Sequence, residues 1–307
     1  MGRYLARRLL QVVPVFFGTT FLIFALVFAI PGDPVRALSG DRPLATSTYE
    51  ALRDRYNLDD PLPVQYGKYM SGLVTGDFGE DFRGREVTSI MAERFPVTVR
   101  LALVAFAFEI VIGLAAGILA ALRRGSFMDN LVLVSTTLVV SIPVFVLGFT
   151  AQILFGVELG WFPIAGLSEG WYSYLLPGFV LGAVSLAYVA RLTRTSLVEN
   201  LRADYVRTAT AKGMPRSRVV GVHALRNSLI PVVTFLGVDL GALMGGAIVT
   251  EGVFNIPGIG QQVFTSVQDQ EGPVVVGIVT ALVLVFLAAN LVVDVLYAVL
   301  DPRIRYD

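Results

Sequence analysis

The sequence predicts an all-α, polytopic membrane protein with six transmembrane helices and an insertion after the first. Three observations carry that expectation: 55% hydrophobic against 16% charged residues over 307 positions, a mean hydropathy of +0.69, and apolar runs able to cross about 30 Å of hydrocarbon at about 1.5 Å per residue. A soluble domain of this size would need more polar surface. The absence of cysteine excludes disulfides, thiolate catalysis and Cys-ligated metal, and the single histidine, His223, excludes a histidine-cluster metal site. No catalytic residue and no metal ligand is assigned.

The runs are Leu9–Ile30, Leu101–Leu122, Leu131–Phe155, Leu175–Ala190, Leu229–Val249 and Val274–Val293. The first follows a basic start that resembles a signal peptide. It is longer than a signal core and no small-x-small cleavage site follows, so it is expected to stay as a span. The fourth is short, but Trp171, Tyr172 and Tyr174 stand before it as an interfacial aromatic cluster that extends it to full depth. Pro143, midway along the third, predicts a kink through one lost backbone hydrogen bond.

Lysine and arginine set the orientation, because short loops rich in them stay cytoplasmic. Arg3, Arg7 and Arg8 precede the first span and Arg123 and Arg124 separate the second from the third. Arg191, Arg194, Arg202, Arg207, Lys212, Arg216, Arg218 and Arg226 lie around the fourth-to-fifth connection, and Arg303 and Arg305 close the chain. The connections 156–174 and 250–272 contain neither residue type. Both termini are therefore expected in the cytoplasm of a multi-pass plasma-membrane protein. The organisation that follows is a cytoplasmic start with the first span over 1–30, an extracytoplasmic cap over 31–99 and a five-helix core over 100–307. Prolines 31, 34, 61 and 63 and glycines 72, 76, 79 and 84 punctuate the cap into short elements. Tyr66, Tyr69, Phe78 and Phe82 within it argue for a folded unit, since disordered segments are poor in aromatics.

One connection, residues 194–228, is the sizeable soluble surface left on the cytoplasmic side. It contains DYVRTATAKGMPRSRVVGVHALRNSLIP over 204–231. A helix is expected from about Ala203 to Lys212, stopped by Gly213, with Pro215 opening the next helix. Such a helix–turn–helix lies across the membrane plane and presents Asp204, Tyr205, Arg207, Thr208, Ala209, Lys212, Gly213, Met214, Pro215, Arg216, Arg218, His223 and Arg226. On charge alone, the favoured reading of these cations is that they satisfy the positive-inside rule and touch anionic headgroups; the Ala/Gly spacing and the His223–Asn227 run turn the balance toward docking.

The spacing in that loop resembles the EAA loop of ABC importer permeases. Arg207, Thr208 and Ala209 stand at the E-A-A positions, Gly213 at the glycine, and His223 and Arg226 at the later Ile and Pro positions. Four of these depart from the general form, and the departure matches the dipeptide/oligopeptide branch, whose loop reads like Tyr205–Gly213 and His223–Pro231 here. PGDP at Pro31–Pro34, NIPGIGQQVF at Asn255–Phe264 and the ending Asn290–Arg305 resemble the same branch, which includes nickel and glutathione importers. That resemblance implies a type I importer fold (MetI-like) and a loop seated in an ATPase cleft. It also implies two ATPase subunits holding ATP and Mg, a homologous second permease in a heterodimer, an extracytoplasmic substrate-binding protein facing a scoop-like cap, and a short peptide as cargo. No cofactor is bound by this chain and no nucleic acid is a partner. The only lysines, Lys68 and Lys212, lie outside any G-x4-G-K-[ST] run, so nucleotide phosphates have no P-loop here and the chain is not an enzyme.

Glu109, Asp239 and Asp294 lie in or near spans, where an ionisable group costs several kcal/mol unless it meets water or a partner. Asp239 sits within Gly237-x3-Gly241-x3-Gly245, which allows close helix approach. For it a pathway role stands open beside a helix–helix hydrogen bond or a link to an Asn or Arg in a neighbouring helix; for Glu109 a packing hydrogen bond is favoured. Gly113–Gly117 and Gly178–Gly182 are expected to pack helices of this chain tightly. The rival functions are a carrier driven by an ion gradient, with Glu109 or Asp239 as the ion site, and a scaffold whose basic loop recruits a cytoplasmic factor.

Overall fold

The computed structural model describes residues 2–28, 35 and 45–300, with side chains from 7 through 291. The Pro31–Pro34 run, Arg303, Arg305 and the side chains of Arg3 and Asp294 lie outside the described residues. Helices follow in the order α1 (Gly2–Phe28), α2 (Thr46–Arg55), α3 (Leu62–Val74), α4 (Val87–Phe108), α5 (Leu114–Leu122), α6 (Phe127–Ser141), α7 (Val144–Ala151), α8 (Leu175–Asn200), α9 (Asp204–Ala211), α10 (Arg216–Arg218), α11 (Leu225–Phe254), α12 (Ile259–Gln268) and α13 (Gly272–Leu300). Three π turns interrupt them: Glu109–Gly113 joins α4 to α5, Gln152–Glu158 extends α7, and Val219–Ala224 joins α10 to α11.

Among the described residues, five helical stretches are long and apolar enough to cross a membrane, and six if the bent pair α6–α7 counts as one. The bend is 107°, which corrects the expected kink at Pro143 to a full break. Ile142, the residue before proline, is extended at φ −101° and ψ 129°, and Pro143 at ψ 139° leaves the helical region too. Proline disfavours the α region for its predecessor, so two consecutive residues abandon the helix. The second stretch, Val87–Leu122, is 36 residues long, about 54 Å of helix. It starts inside the segment read as cap, well before Leu101. The fourth continues past Ala190 to Asn200 and is led by a 3-10 turn at Gly170–Tyr174.

The chain forms two compact units, Met1–Thr98 with Pro257–Asp307, and Val99–Ile256. In the first, Val87 and Ile90 bury against Ile259 and Val263 of α12 and Val274, Val275 and Ile278 of α13. The Thr98 hydroxyl accepts the Ile259 N–H at 2.8 Å and so occupies one of the open donors that begin α12. The segment 45–86 is tied by side chains: Arg55 grips both Glu80 oxygens at 2.5 Å, Tyr56 donates to the Asp81 carbonyl at 2.7 Å, and Asp81 Oδ1 accepts from the Arg83 and Arg85 amides. Burial pushes the phenols of Tyr56 and Tyr69 up to about 12.

In the second unit α8 is the centre. A Cβ added at Gly178 would stand 2.6 Å from Val104 Cγ1, and one at Gly182 would stand 2.8 Å from the Ala105 carbonyl oxygen. Reciprocally, a Cβ at Gly113 would meet Val189 at 2.9 Å, and one at Gly117 would meet the Ala190 carbonyl at 2.6 Å. Contact positions rise together along both helices, so α4–α5 and α8 run parallel with their backbones nearly touching. Val189, Val232 and Leu236 seal α8 to α11. The Gln152 amide donates to the Ile164 and Val253 carbonyls at 2.8 and 3.0 Å, fastening the end of the broken span to α11.

Gly117→Val should lower the thermal stability of the chain purified in detergent by the equivalent of about 1–3 kcal/mol, the usual cost of overpacking. Gly245→Ala, with open space at its Cβ, should leave the melting curve in place. A second expectation concerns alkali. The phenols ionise near pH 10 when unfolded and about 12 when folded, so the stability they confer is complete below pH 10 and lost as pH climbs through 12. Tyr69→Phe should flatten that loss in an alkaline unfolding series.

Candidate functional site

The bend between α8 and α11 is built from the helix ends upward. Ala203, extended at ψ 150°, precedes α9 as its N-cap. The helix stops through paired bonds: the Gly213 amide donates to the Thr210 carbonyl at 2.9 Å and the Met214 amide to the Ala209 carbonyl at 3.3 Å. This 5→2 and 6→1 pairing closes a helix when the residue between is left-handed, and Gly213 has φ +76°. Pro215 then caps α10.

α9 has two faces. Val206 and Ala209, each 5% exposed, sink into a cluster with Ala121 of α5, Leu197 of α8, Val219 and Ala224, against which Met214 also packs. Asp204, Tyr205, Arg207, Thr208, Lys212, Gly213, Pro215, Arg216, Arg218 and Arg226 are exposed. The Arg207 side chain is 74% exposed and its contact with Asp204 spans 3.5 Å, an i,i+3 pair worth little in water. Its charge is therefore available to another surface. His223 lies half-buried in the π turn, its carbonyl accepting from Asn227 at 3.4 Å. Of the predicted constellation, Ala209 and Met214 thus face the apolar cluster and fix the bend.

Behind the bend lies a contact that sequence reasoning did not single out. Arg194 of α8 donates through Nε to Asp129 Oδ1 at 2.5 Å and through Nη2 to Oδ2 at 2.8 Å. Asp129 is 2% exposed and also accepts the Gly125 amide at 2.8 Å. The signal was present: Ser126-x-x-Asp129 before an apolar run is a capping-box pattern, and the Ser126 hydroxyl does accept the Asp129 amide.

Glu109 and Asp239 come together. Glu109 is fully buried at the start of its π turn, and its carboxyl faces that of Asp239, which also reaches Ser185. Neither Glu109 oxygen closes a hydrogen bond of ordinary geometry. Asp239 thus meets another acid and a serine across the helix interface. In the glycine stripe around it Gly241 is buried, Gly237 half-buried and Gly245 exposed. A cavity of about 550 Å³ lined by Phe24, Tyr56, Lys68, Tyr69 and Phe78 lies in the first unit and shares no residue with the bend.

Residues 113–306 match the family described as "Binding-protein-dependent transport system inner membrane component", and residues 1–102 match its N-terminal component. The chain belongs to that family. It is the permease component of an ABC importer, a multi-pass inner-membrane protein that works with an ATPase and a substrate-binding protein. Among its relatives, the di/tripeptide transport system permease protein DppB of Pseudomonas aeruginosa is 40% identical over 100% of this chain and 99% of its own length. The glutathione transport system permease protein GsiC of Escherichia coli K12 is 42% identical over the full length of both. Among solved structures, the MetNI methionine ABC transporter, in inward-facing form, matches at a TM-score of 0.52 and 21% identity, over 67% of this chain and 95% of that one. This establishes the type I importer fold of the permease.

Val206→Glu should unfold the bend, destabilising by about 2–4 kcal/mol through a charge placed among apolar neighbours. Arg207→Glu should change stability by no more than about 0.5 kcal/mol. Thermal melts of the purified chain separate the two faces of α9.

Proposed function

We propose that this permease imports short peptides, di- to oligopeptides including glutathione-like tripeptides, delivered by an extracytoplasmic binding protein. The bend at Asp204–Arg226 is the element that docks on the ATPase. The observation that carries this reading is the division of α9: Val206 and Ala209 are welded to the ends of α5 and α8, while Arg207, Thr208 and Lys212 face outward. A push on the outer face is transmitted to two spans because the inner face cannot slip. ATP and Mg are bound by two partner ATPase subunits, and no cofactor is bound here. A homologous permease supplies the other half of the pathway as a heterodimer. Both termini face the cytoplasm, since the lysine- and arginine-rich connections flank the same ends of the spans. The two named relatives, full-length matches that transport a di/tripeptide and glutathione, support the cargo class.

The test is uptake into proteoliposomes that hold both permeases, both ATPases and the binding protein. ATP-dependent accumulation of trialanine or glutathione is expected. Gly213→Glu meets no atom within 4 Å but sits at φ +76°, so the chain should still insert, at a cost of about 1 kcal/mol. Association with the ATPase and uptake should both be lost. Uptake that persists without nucleotide would instead assign transport to an ion gradient, and an intact complex with no uptake would make the chain a scaffold.

A further inference from the structure

Arg194 and Asp129 join the helix that carries the bend to the helix that breaks. α8 contributes Leu197 to the cluster beneath α9, and Ser228, fully buried near the start of α11, reaches the Ser196 carbonyl. Within one turn of those contacts Arg194 projects to α6. There its planar fork meets both oxygens of Asp129, a fixed geometry that a single point charge could not impose. Asp129 is itself pinned by the Gly125 amide, and Ser126 caps the same helix end. The start of α6 is therefore fixed in direction as well as position. α6 is the first half of the span that turns 107° at Ile142–Pro143.

We infer that the Asp129–Arg194 pair is a positioning joint, through which displacement of the ATPase-docking bend is passed to the broken third span. The inference rests on the docking reading of the bend. A buried ion pair is weak grounds for stability, since apolar replacement is often neutral or stabilising. Its contribution here is orientation: removing it leaves the start of α6 held only by the four-residue connection 123–126 and by helix packing.

The experiment uses the assembled importer. Spin labels at Arg202 and Leu131, both exposed, report the distance between the bend and α6 with and without ATP and vanadate. A cross-link from Lys212 to the ATPase reports docking. In the unmodified importer the two labels should move as one body, with a distance distribution unchanged by nucleotide. In Asp129→Asn and Arg194→Gln the cross-link should persist while the distribution broadens at least twofold on nucleotide binding, and trialanine imported per ATP hydrolysed should fall at least tenfold. Arg194→Lys, which keeps the charge but not the fork, should fall between. The double variant D129L/R194M separates joint from brace: its melting temperature should return close to that of the parent, while the broad distribution and low coupling remain. Recovery of coupling together with stability in that variant, or a wild-type distribution in D129N, overturns the inference. Loss of the Lys212 cross-link in the unmodified importer overturns the docking reading instead.

Discussion

In hydrocarbon there is no water to drive helices together, so association depends on how closely backbones can approach. This fold meets that constraint at four glycines. Gly178 and Gly182 admit Val104 and Ala105, while Gly113 and Gly117 admit Leu186, Val189, Ala190 and Thr193. With no side chain between them, α4–α5 and α8 behave as one stiff pair. The remaining elements of the second unit hang on α8: α11 through Val232 and Leu236, α6 through Arg194, and the bend through Leu197. A lever works only against a rigid fulcrum, and the glycine contacts supply one.

The bend shows how a short polar helix is made rigid. Eight residues of isolated helix have no stability of their own. α9 borrows it from Val206 and Ala209 below, and from a glycine stop whose two backbone bonds also swing Met214 into the same apolar cluster. Everything that holds the bend is on its inner side. The outer arginines and lysine take part in none of it, apart from the long Arg207–Asp204 contact, so they are free to vary with a partner surface.

Features set by local rules were legible in the sequence. The spans came from length and hydropathy, the α9 stop came from Gly213, and the helix start came from Pro215. Features set by what two distant segments do to each other were not. The pattern around Pro143 announces a disturbance, and the chain there turns through 107°, but it does not announce that Gln152 fastens the far half to the Ile164 and Val253 carbonyls, more than ten residues away. Arg194 reads as one more cation at a span end, and only its meeting with Asp129 shows that it is spent inside the protein. The helix from Val87 was hidden because its first turns, Thr88 to Arg94, mix polar and charged residues with apolar ones and read as cap, although Val87 and Ile90 face a core.

The π turn at Glu109–Gly113 follows from the glycine seam. In an uninterrupted α-helix, at about 100° per residue, Gly113 would lie about 80° around the axis from Ala105, and Gly117 about 120° around. α8 could then touch one end of the long span or the other, but not both. A π turn takes up about one extra residue, which winds the later face back by about 100° and brings Gly113 and Gly117 within about 20° of the line through Ala105. The seam can then run the length of both helices. The residue at which the phase changes is Glu109, which is why a carboxyl comes to rest fully buried beside Asp239 of α11, itself in reach of Ser185 of α8. Straightening that turn would move the acid off its neighbours and the glycines off theirs in one step. The buried acids and the packing seam are therefore two consequences of a single irregularity, and a substitution that regularises the helix must disturb both together.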